Sequence, residues 1–298
     1  SGRCASLTEP LLTMNDLSVT FYKGRQAIKA VDQINFTINA GTTVGLVGES
    51  GSGKTTTGRA IAGIGPISGG DVLFGGQSIR HFSHAARKDF RRQVQMVFQD
   101  PFESLNPRQK VVDIIAEGID NFHLATSREA RLAHVLRLLT QVGLPADAIN
   151  RFPHEFSGGQ RQRIGIARAL AVQPKFLVLD EPISALDVSI QAQIVNLLRQ
   201  IQHEQHLTYL FIAHDLSMVH YISDKIVVMY QGRIVEAGDT DAIYHHPLHP
   251  YTQTLLSSVP QADPMLEQQK PVLHFDRQAL DPTASLVEAA PAHWVLAQ

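Results

Sequence analysis

The stretch that decides the fold is GESGSGKT at residues 48–55, which follows the short apolar run TVGLV at residues 43–47. It fits the pattern G-x-x-x-x-G-K-[ST], in which a glycine-rich turn joins a strand to a helix. Its glycines let the backbone curl so that N–H groups point at phosphate oxygens. We predict a helix that starts near Lys54 and ends before Gly63, and its N-terminus adds partial positive charge. The strand before the turn and the helix after it disfavour the alternative of an ordinary glycine-rich turn.

The roles of single residues follow from this pattern. Lys54 brings a positive charge to the outer phosphates, and the Thr55 hydroxyl can ligate Mg²⁺. The predicted phosphate contacts are Gly48, Ser50, Gly51, Ser52, Gly53, Lys54, Thr55 and Thr56. The motif alone predicts binding of a nucleoside triphosphate, and it does not separate ATPases from kinases and GTPases.

A pair of acids forms the second constellation. The apolar run FLVL at residues 176–179 leads directly into Asp180 and Glu181. A strand that ends in a carboxylate is typical of the second metal contact in P-loop ATPases, so Asp180 is predicted to hold Mg²⁺ through water. Glu181 is then the candidate base that polarises the attacking water. The alternative is a solvent-exposed acid pair at a strand end, which is common.

Two further polar residues follow apolar runs. His214 comes after TYLFIA at residues 208–213, and this position downstream of the acid pair favours a contact with the γ-phosphate. Gln99 follows VQMVF at residues 94–98 and could reach the metal or the attacking water. A lone histidine is more often a surface or core residue, and a lone glutamine carries no weight.

The remaining pattern alternates between strands and helices. Apolar or alternating runs predict strands at 11–21, 34–38, 71–74, 94–98, 176–179, 208–213 and 225–230, with a turn-rich segment after the first. Helical spacing of apolar residues predicts an amphipathic helix at 127–142, carried by Leu132, Val135, Leu136, Leu139 and Val142. Similar patterns predict helices at about 159–172 and 188–202, and GRIVEAG completes a small hairpin. Such alternation indicates a mostly parallel α/β sheet.

Composition excludes several other classes of protein. Hydrophobic residues make up 44% and charged residues 18% of the 298 residues, which indicates a globular chain. The net charge of −2 argues against a nucleic-acid-binding surface. Cys4 is the single cysteine, so the chain has no internal disulfide and no cysteine-based metal site. No apolar stretch approaches the ~20 residues that span a bilayer, and residues 1–10 lack the apolar region of a signal peptide.

SGGQR at residues 157–161 completes a set of motifs that resembles the ATP-binding subunits of ABC transporters. The P-loop, Gln99, SGGQR, LDE at 179–181, SALD at 184–187 and His214 stand in the order of that family. The resemblance covers roughly residues 11–260. It implies a P-loop NTPase with a RecA-like, mostly parallel sheet, an N-terminal antiparallel β-subdomain and an inserted helical subdomain.

The resemblance also implies the domain boundaries. The ATPase domain would span residues 11–245, with the helical subdomain at about 100–172. Residues 246–298 would form a C-terminal extension, of which we expect 261–298 to be peripheral with little core of its own.

The same resemblance assigns roles that the residues alone do not. It implies that Gln99 links the metal site to membrane subunits, that Asp187 acts across a dimer interface, and that His214 is a switch residue. It implies that the signature of one subunit contacts the ATP held by its partner through Ser157, Gly158, Gly159 and Gln160. Tyr22 is the preferred residue for stacking on adenine, and Phe21 is the alternative.

Longer segments resemble the ATPases of bacterial oligopeptide, dipeptide and nickel importers, among them FQDPFESLNPR and HPLHPYTQTLLSSVP. This resemblance implies ATP and Mg²⁺, a second ABC ATPase (a sister chain is favoured over a copy), two membrane-spanning permease subunits and an extracytoplasmic solute-binding protein. It implies no nucleic-acid partner and a peripheral position on the cytoplasmic face of the inner membrane. The preferred cargo is a di- or oligopeptide, with nickel or another small solute as the alternative. A soluble ABC ATPase outside transport is disfavoured because twin cassettes and coiled-coil insertions are absent.

Cysteines and histidines give two further expectations. Many members of this group carry a C-terminal cysteine cluster that binds iron–sulfur, but this chain has no cysteine there, so we expect no cluster. His245, His246 and His249 could suggest a metal site. Because Pro247 and Pro250 interrupt any helical presentation of ligands, we interpret these histidines as structural.

Overall fold

The structure is a computed structural model, and it describes residues 10–99, 104–258, 275, 280–281 and 283–297. Its contacts divide the chain into two units, one from residues 1–82 and 214–298 and the other from residues 83–213. Cys4 and residues 259–274 of the predicted extension lie outside the described residues.

The strands are, in chain order, Leu12–Lys23 (β1), Gln26–Ile38 (β2), Thr43–Val47 (β3), Gly69–Phe74 (β4), Gln77–Ser78 (β5), Val94–Val97 (β6), Phe176–Asp180 (β7), Thr208–Ala213 (β8), Lys225–Tyr230 (β9), Arg233–Asp239 (β10), Leu286–Ala290 (β11) and His293–Leu296 (β12). The α-helices are Lys54–Ile61 (α1), His84–Gln93 (α2), Val111–Asn121 (α3), Arg128–Gln141 (α4), Gly158–Leu170 (α5), Val188–Gln205 (α6), Leu216–Ile222 (α7), Thr240–His245 (α8) and Pro250–Ser257 (α9). Short 3₁₀ turns occur at Ile79–His81, Ala146–Asn150 and Pro153–Glu155.

The first unit holds two groups of hydrogen-bonded strands. An antiparallel sheet has the order β2-β1-β4-β5, which confirms the predicted N-terminal antiparallel β-subdomain. In the second group β3 runs parallel to β9, and β10, β12 and β11 follow β9 with antiparallel pairing. Every residue of β3 is buried, which explains why its sequence is a continuous apolar run without alternation.

The second unit combines a parallel sheet with the helical insert. Strands β6, β7 and β8 pair in parallel with β7 in the centre, and β7 is buried along its whole length. In the helical part, α3 and α4 turn apolar faces to the core through buried Ile115, Ile119, Val135 and Leu139. Parallel strands alternating with helices in this way confirm the predicted α/β P-loop fold with a helical insertion.

Three sequence expectations need correction. The segment after residue 21 is not turn-rich, because β2 begins at Gln26 and pairs with β1 back to Lys23. The residues at the start of β2 are exposed, so they lack the apolar alternation that reveals a strand. On α4, Leu132 is exposed rather than in the core and Leu136 is only half-buried, while Leu138 is buried without having been predicted.

The third correction concerns the C-terminal extension. Residues 286–296 were not predicted to form strands, yet β12 pairs with β10 and extends the first unit's sheet. His293 and Leu296 are buried there, so this part adds core to the unit. The sequence gives little warning, because β11 is almost entirely exposed. Within the described residues, no helix has the length and apolar character needed to cross a membrane.

Candidate functional site

The loop between β3 and α1 requires glycine at two positions. Gly53 has φ of 102°, and a Cβ there would lie 2.4 Å from the carbonyl oxygen of Ala30. A Cβ on Gly48 would lie 2.2 Å from the carbonyl oxygen of Met229. Because both obstacles are backbone atoms, neither position can accept a side chain without moving the loop. The backbone therefore curls as the phosphate-binding motif predicts.

Lys54 is buried within this loop. Its ammonium group donates to the carbonyl oxygens of Gly48 at 2.7 Å and Glu49 at 2.8 Å, and the residue is 4% exposed. A buried ammonium group is tolerated when its N–H groups are satisfied in this way. The lysine thus presents a fixed positive charge at the N-terminus of α1.

The loop fits a phosphate group. The hydroxyl of Ser52 is buried and has no hydrogen-bond partner among the described residues, and a phosphate oxygen would supply one. Thr55 and Thr56 lie in the first turn of α1, and the N-terminal end of a helix attracts anions. The predicted phosphate contacts therefore lie together in this loop and the first turn of α1.

The acid pair lies at the carboxyl end of β7 in the second unit. Asp180 is the last residue of β7 and is 2% exposed. Gln99, just beyond β6, donates a hydrogen bond from its Nε2 to Oε2 of Glu181 at 2.9 Å. The parallel pairing of β6 and β7 places these two ends side by side. The structure therefore brings Gln99 and Glu181, which are distant in sequence, into one cluster.

Glu181 has an unusual backbone conformation. Its φ is 44°, in the left-handed region that non-glycine residues seldom adopt. Its N–H donates to the carbonyl oxygen of Ile212 on β8, and its own carbonyl oxygen accepts from the Ser184 hydroxyl. These bonds hold a conformation that costs on the order of 1–3 kcal/mol. Such strain clusters at functional sites, and here it turns a carboxylate out of the end of a buried strand.

The SGGQ segment begins helix α5. Ser157 is the N-cap: its hydroxyl accepts the N–H of Gln160 at 3.3 Å, and its own N–H donates to Oε1 of Gln160 at 3.0 Å. This capping box satisfies the Gln160 N–H. Gly158 and Gly159 occupy the first turn of α5, so their N–H groups point beyond the helix end.

Both glycines of this segment also pack closely on the start of α6 and the loop before it. A Cβ on Gly158 would meet Leu186 at 3.3 Å, and one on Gly159 would meet Ile190 at 2.5 Å. Asp187 is the exposed N-cap residue of α6. The start of α5 thus packs closely on residues that flank Asp187, and a side chain at Gly159 would require Ile190 to move.

The remaining predicted residues lie in the first unit. His214 is exposed and follows the end of β8. Tyr22 is 76% exposed near the end of β1, and Phe21 is 44% exposed on the opposite face of the strand. Tyr22 is thus the more exposed of the two rings.

The histidines of the C-terminal region differ in their surroundings. His249 is buried and its Nδ1 accepts the N–H of Tyr251 at 3.1 Å. Burial lowers the pKa of His249, and the nearby Glu236 carboxylate opposes part of this shift. His245 has a ligand atom within 4.8 Å of those of His220 and Asp241. Since Asp241 is 89% exposed and already pairs with His220 at 3.3 Å, we interpret that cluster as surface packing.

Sequence reasoning missed a residue that touches the phosphate-binding loop. The hydroxyl of Tyr251 accepts the N–H of Glu49 at 2.8 Å. No periodicity or spacing points to this contact, which joins residues 202 positions apart. A cavity of about 670 Å³ in the same unit is lined by residues such as Asn35, Lys225 and Trp294. None of the predicted site residues lines that cavity.

Comparison with known protein families gives two matches. The ABC transporter family matches residues 31–184, and the family described as oligopeptide/dipeptide transporter, C-terminal region, matches residues 235–277. Together they cover the phosphate-binding loop, the signature, the acid pair and the C-terminal HPY segment.

Individual relatives match nearly the whole chain. The chain is 56% identical to the oligopeptide transport ATP-binding protein OppF of Streptococcus mutans, over 96% of this chain and 94% of that protein. It is 53% identical to the dipeptide transport ATP-binding protein DppF of Lactococcus lactis, over 97% of this chain and 95% of that protein.

Solved structures show the same fold. The ATP-binding cassette MJ0796, described as dimeric in a post-hydrolysis state with ADP and Pi, superposes with a TM-score of 0.70 at 27% identity, over 77% of this chain and 98% of that one. The structure of cbiO1 from Clostridium perfringens, part of the ABC transporter complex cbiONQ, gives a TM-score of 0.69 at 27% identity, over 80% and 91% of the two chains.

Proposed function

Since the chain belongs to the ATP-binding proteins of ABC transporters and is the subunit that hydrolyses ATP in such a transporter, we propose that it drives the uptake of di- or oligopeptides into a bacterial cell. The observation that carries the peptide assignment is the match of residues 235–277 to the C-terminal region of oligopeptide/dipeptide transporters. Relatives named for oligopeptide and dipeptide transport, aligned over nearly the whole chain, support it.

The phosphate-binding loop supplies the first half of the chemistry. We assign the outer phosphates of ATP to the Lys54 ammonium group and to the N–H groups of residues 50–56. The buried Ser52 hydroxyl, which has no hydrogen-bond partner in the part of the chain that the structure describes, supports this assignment. Tyr22, with its exposed ring, is proposed to stack on the adenine.

The acid cluster supplies the second half. Glu181 is proposed to accept a proton from the attacking water, with Gln99 orienting its carboxylate through the 2.9 Å hydrogen bond. Asp180 and Gln99 are proposed as metal contacts together with the Thr55 hydroxyl, because hard oxygen ligands suit Mg²⁺. When bound, Mg²⁺ would neutralise charge on the phosphates. His214 is proposed to contact the γ-phosphate.

The working assembly is proposed to be a pair of ATPases. In it the SGGQ segment, residues 157–160, would act on the ATP of the partner, and Asp187 would contact the partner across the interface. We further propose two permease subunits, an extracytoplasmic solute-binding protein and a peripheral position on the cytoplasmic face of the inner membrane. A sister ATPase is favoured over a second copy as partner, and no iron–sulfur cluster is expected because Cys4 is the only cysteine.

Transport by the assembled complex tests the peptide assignment. Membrane vesicles holding the full transporter would be supplied with ATP and with labelled dipeptide, labelled oligopeptide or ⁶³Ni²⁺, each with its binding protein. We expect ATP-dependent accumulation of peptide, and none from a matched complex that carries Glu181→Gln. Accumulation of nickel alone would replace the peptide assignment with the metal alternative.

A further inference from the structure

A buried carboxylate organises the C-terminal part of the first unit. Glu236 on β10 is completely buried. Its Oε1 accepts the N–H of Leu248 at 2.8 Å and its Oε2 accepts the N–H of His249 at 3.0 Å. The Nε2 of His293 on β12 lies 2.7 Å from Oε1. One side chain thus ties the start of α9 and the C-terminal hairpin to β10.

Tyr251 is held in place by this arrangement. It is the second residue of α9, two positions after His249, and is 1% exposed. Its N–H donates to Nδ1 of His249, and its ring packs against Tyr230 and Phe275 with centroids 4.6 Å and 5.5 Å away. Backbone, ring and neighbouring cap therefore all constrain where the Tyr251 hydroxyl lies.

The hydroxyl of Tyr251 meets the phosphate-binding loop at one peptide unit. It accepts the N–H of Glu49 at 2.8 Å, while the carbonyl oxygen on the other side of the same peptide, that of Gly48, accepts from Lys54 at 2.7 Å. Because a peptide unit is planar, fixing its N–H also fixes the direction of its C=O. The loop peptide that receives the Lys54 ammonium group is therefore oriented from the C-terminal region.

We propose that Tyr251 is a positioning residue for the nucleotide site: its hydroxyl orients the Gly48–Glu49 peptide that seats Lys54, and Glu236 sets the position of Tyr251. The inference rests on the proposed ATP site at residues 48–56. It gives the HPY segment a role in nucleotide affinity, beyond packing against the sheet.

The test compares two Tyr→Phe variants, each of which removes only a buried hydroxyl group. Tyr251→Phe keeps the ring and removes the bond to Glu49. Tyr209→Phe is the control, because Tyr209 is also fully buried and its hydroxyl donates to the carbonyl oxygen of Leu198 at 3.0 Å in the other unit. We measure the Kd for ATP by calorimetry, the KM and kcat of ATP hydrolysis, and Tm for the full chain.

A single hydrogen bond of ordinary strength corresponds to about a fivefold change in an equilibrium constant. We expect Tyr251→Phe to raise Kd and KM for ATP by about fivefold with kcat nearly unchanged, because the variant loosens the loop peptide that positions Lys54 but keeps the Lys54 ammonium group for the transition state. The control is expected to lower Tm similarly and to leave Kd and KM unchanged. An unchanged Kd in Tyr251→Phe, or an equal rise in the control, overturns the proposal.

Glu236→Gln provides a second, independent variant. An amide offers only one oxygen, so one of the N–H groups at Leu248 or His249 loses its acceptor. We expect KM for ATP to rise, and the double variant with Tyr251→Phe to be no worse than the stronger single one, since both act on the same peptide. Additive effects would remove Glu236 from the proposal. Absence of ATP binding by the unmodified chain would instead contradict the ATP site itself.

Discussion

At the scale of single residues, Lys54 is the most constrained charge in the phosphate-binding loop. Lys54→Ala removes the ammonium group that donates hydrogen bonds to the carbonyl oxygens of Gly48 and Glu49. No other side chain of the loop carries positive charge. We expect ATP hydrolysis to fall by about 10²-fold or more, as when a charge-stabilising donor is lost, and ATP binding to weaken. Phosphate release measures the first and calorimetry the second.

The control for Lys54 is Lys175→Ala, which removes an exposed lysine before β7 and should leave turnover unchanged. Near-normal turnover in Lys54→Ala, with an intact melting transition, would remove Lys54 from the phosphate site.

Glu181 can be tested without disturbing its surroundings. Glu181→Gln has nearly the same shape and can still accept the Gln99 hydrogen bond, but it cannot take up a proton. We expect ATP binding to persist while hydrolysis falls by about 10²–10⁴-fold, the usual contribution of a general base. Single-turnover hydrolysis by the assembled transporter measures this.

An exposed glutamate supplies the control for Glu181. Glu204→Gln changes an exposed glutamate on α6 and should hydrolyse ATP at the parental rate. If Glu181→Gln does the same, another group is the base.

At the scale of elements, two serine caps in the second unit separate stability from function. The Ser127 hydroxyl caps α4 by accepting the N–H of Ala130 at 3.1 Å, and the Ser157 hydroxyl caps α5 at 3.3 Å. Replacing either by Ala should cost about 1 kcal/mol of folding free energy. We expect only Ser157→Ala to lower ATPase activity in the assembled transporter.

Denaturant unfolding and ATPase assays on both cap variants decide between the two roles of Ser157. Equal loss of stability with full activity in both would mean that Ser157 is a cap and nothing more.

The start of α9 should respond to pH through His249. Burial lowers the pKa of His249 in the folded chain, below the ~6.5 of an unfolded histidine. The unfolded chain therefore takes up more protons as pH falls, so the contribution of this residue is present above about pH 6.5 and is lost between there and the folded pKa. Asn keeps an N-cap acceptor but does not titrate.

We therefore expect His249→Asn to lose less Tm than the unmodified chain between about pH 7.5 and about pH 5.5. His206→Asn, at the exposed C-terminal end of α6, serves as the control and should behave like the unmodified chain. The explanation fails if His249→Asn shows the full pH dependence. Glu236, with His293 bound to it, is the charged group that faces His249.

At the scale of the whole molecule, the arrangement of ATP sites in a dimer can be read from mixed lesions. One chain carries Ser157→Arg, which blocks the N-terminus of α5 by bulk, and its partner ATPase carries Ala at its P-loop lysine. If the SGGQ segment acts on the partner's ATP, both lesions fall in one composite site. We then expect one intact nucleotide site per dimer, measured as bound labelled ATP under conditions that prevent hydrolysis.

Action of Ser157 within its own chain predicts a different number of intact sites. If Ser157 acts on ATP held by Lys54 of its own chain, the two lesions damage different sites and no intact site remains. Dimers with both lesions in the same chain give the reverse pattern and form the matched control.

Much of the chemistry could be predicted because it lies in short, contiguous stretches. The strand–turn–helix around residues 43–61, the cap of α5 and the strand ending at Asp180 each combine local backbone preference with the reactive side chain. An apolar run of a few residues predicts a buried strand, and glycine at Gly48 and Gly53 predicts the curl of the loop. The sequence by itself therefore determined the fold class, and it predicted which residues bind phosphate and which carboxylates act beside them.

Tertiary structure decided what depends on residues far apart in the chain. The left-handed Glu181 and its bond to Gln99 need the register of β6, β7 and β8. The contact of Tyr251 with Glu49 depends on the start of α9, where the buried carboxylate of Glu236 accepts the N–H of His249, 13 positions further along the chain. Such hydrogen bonds have no periodicity, and their geometry exists only once the packed elements bring the donor and the acceptor together.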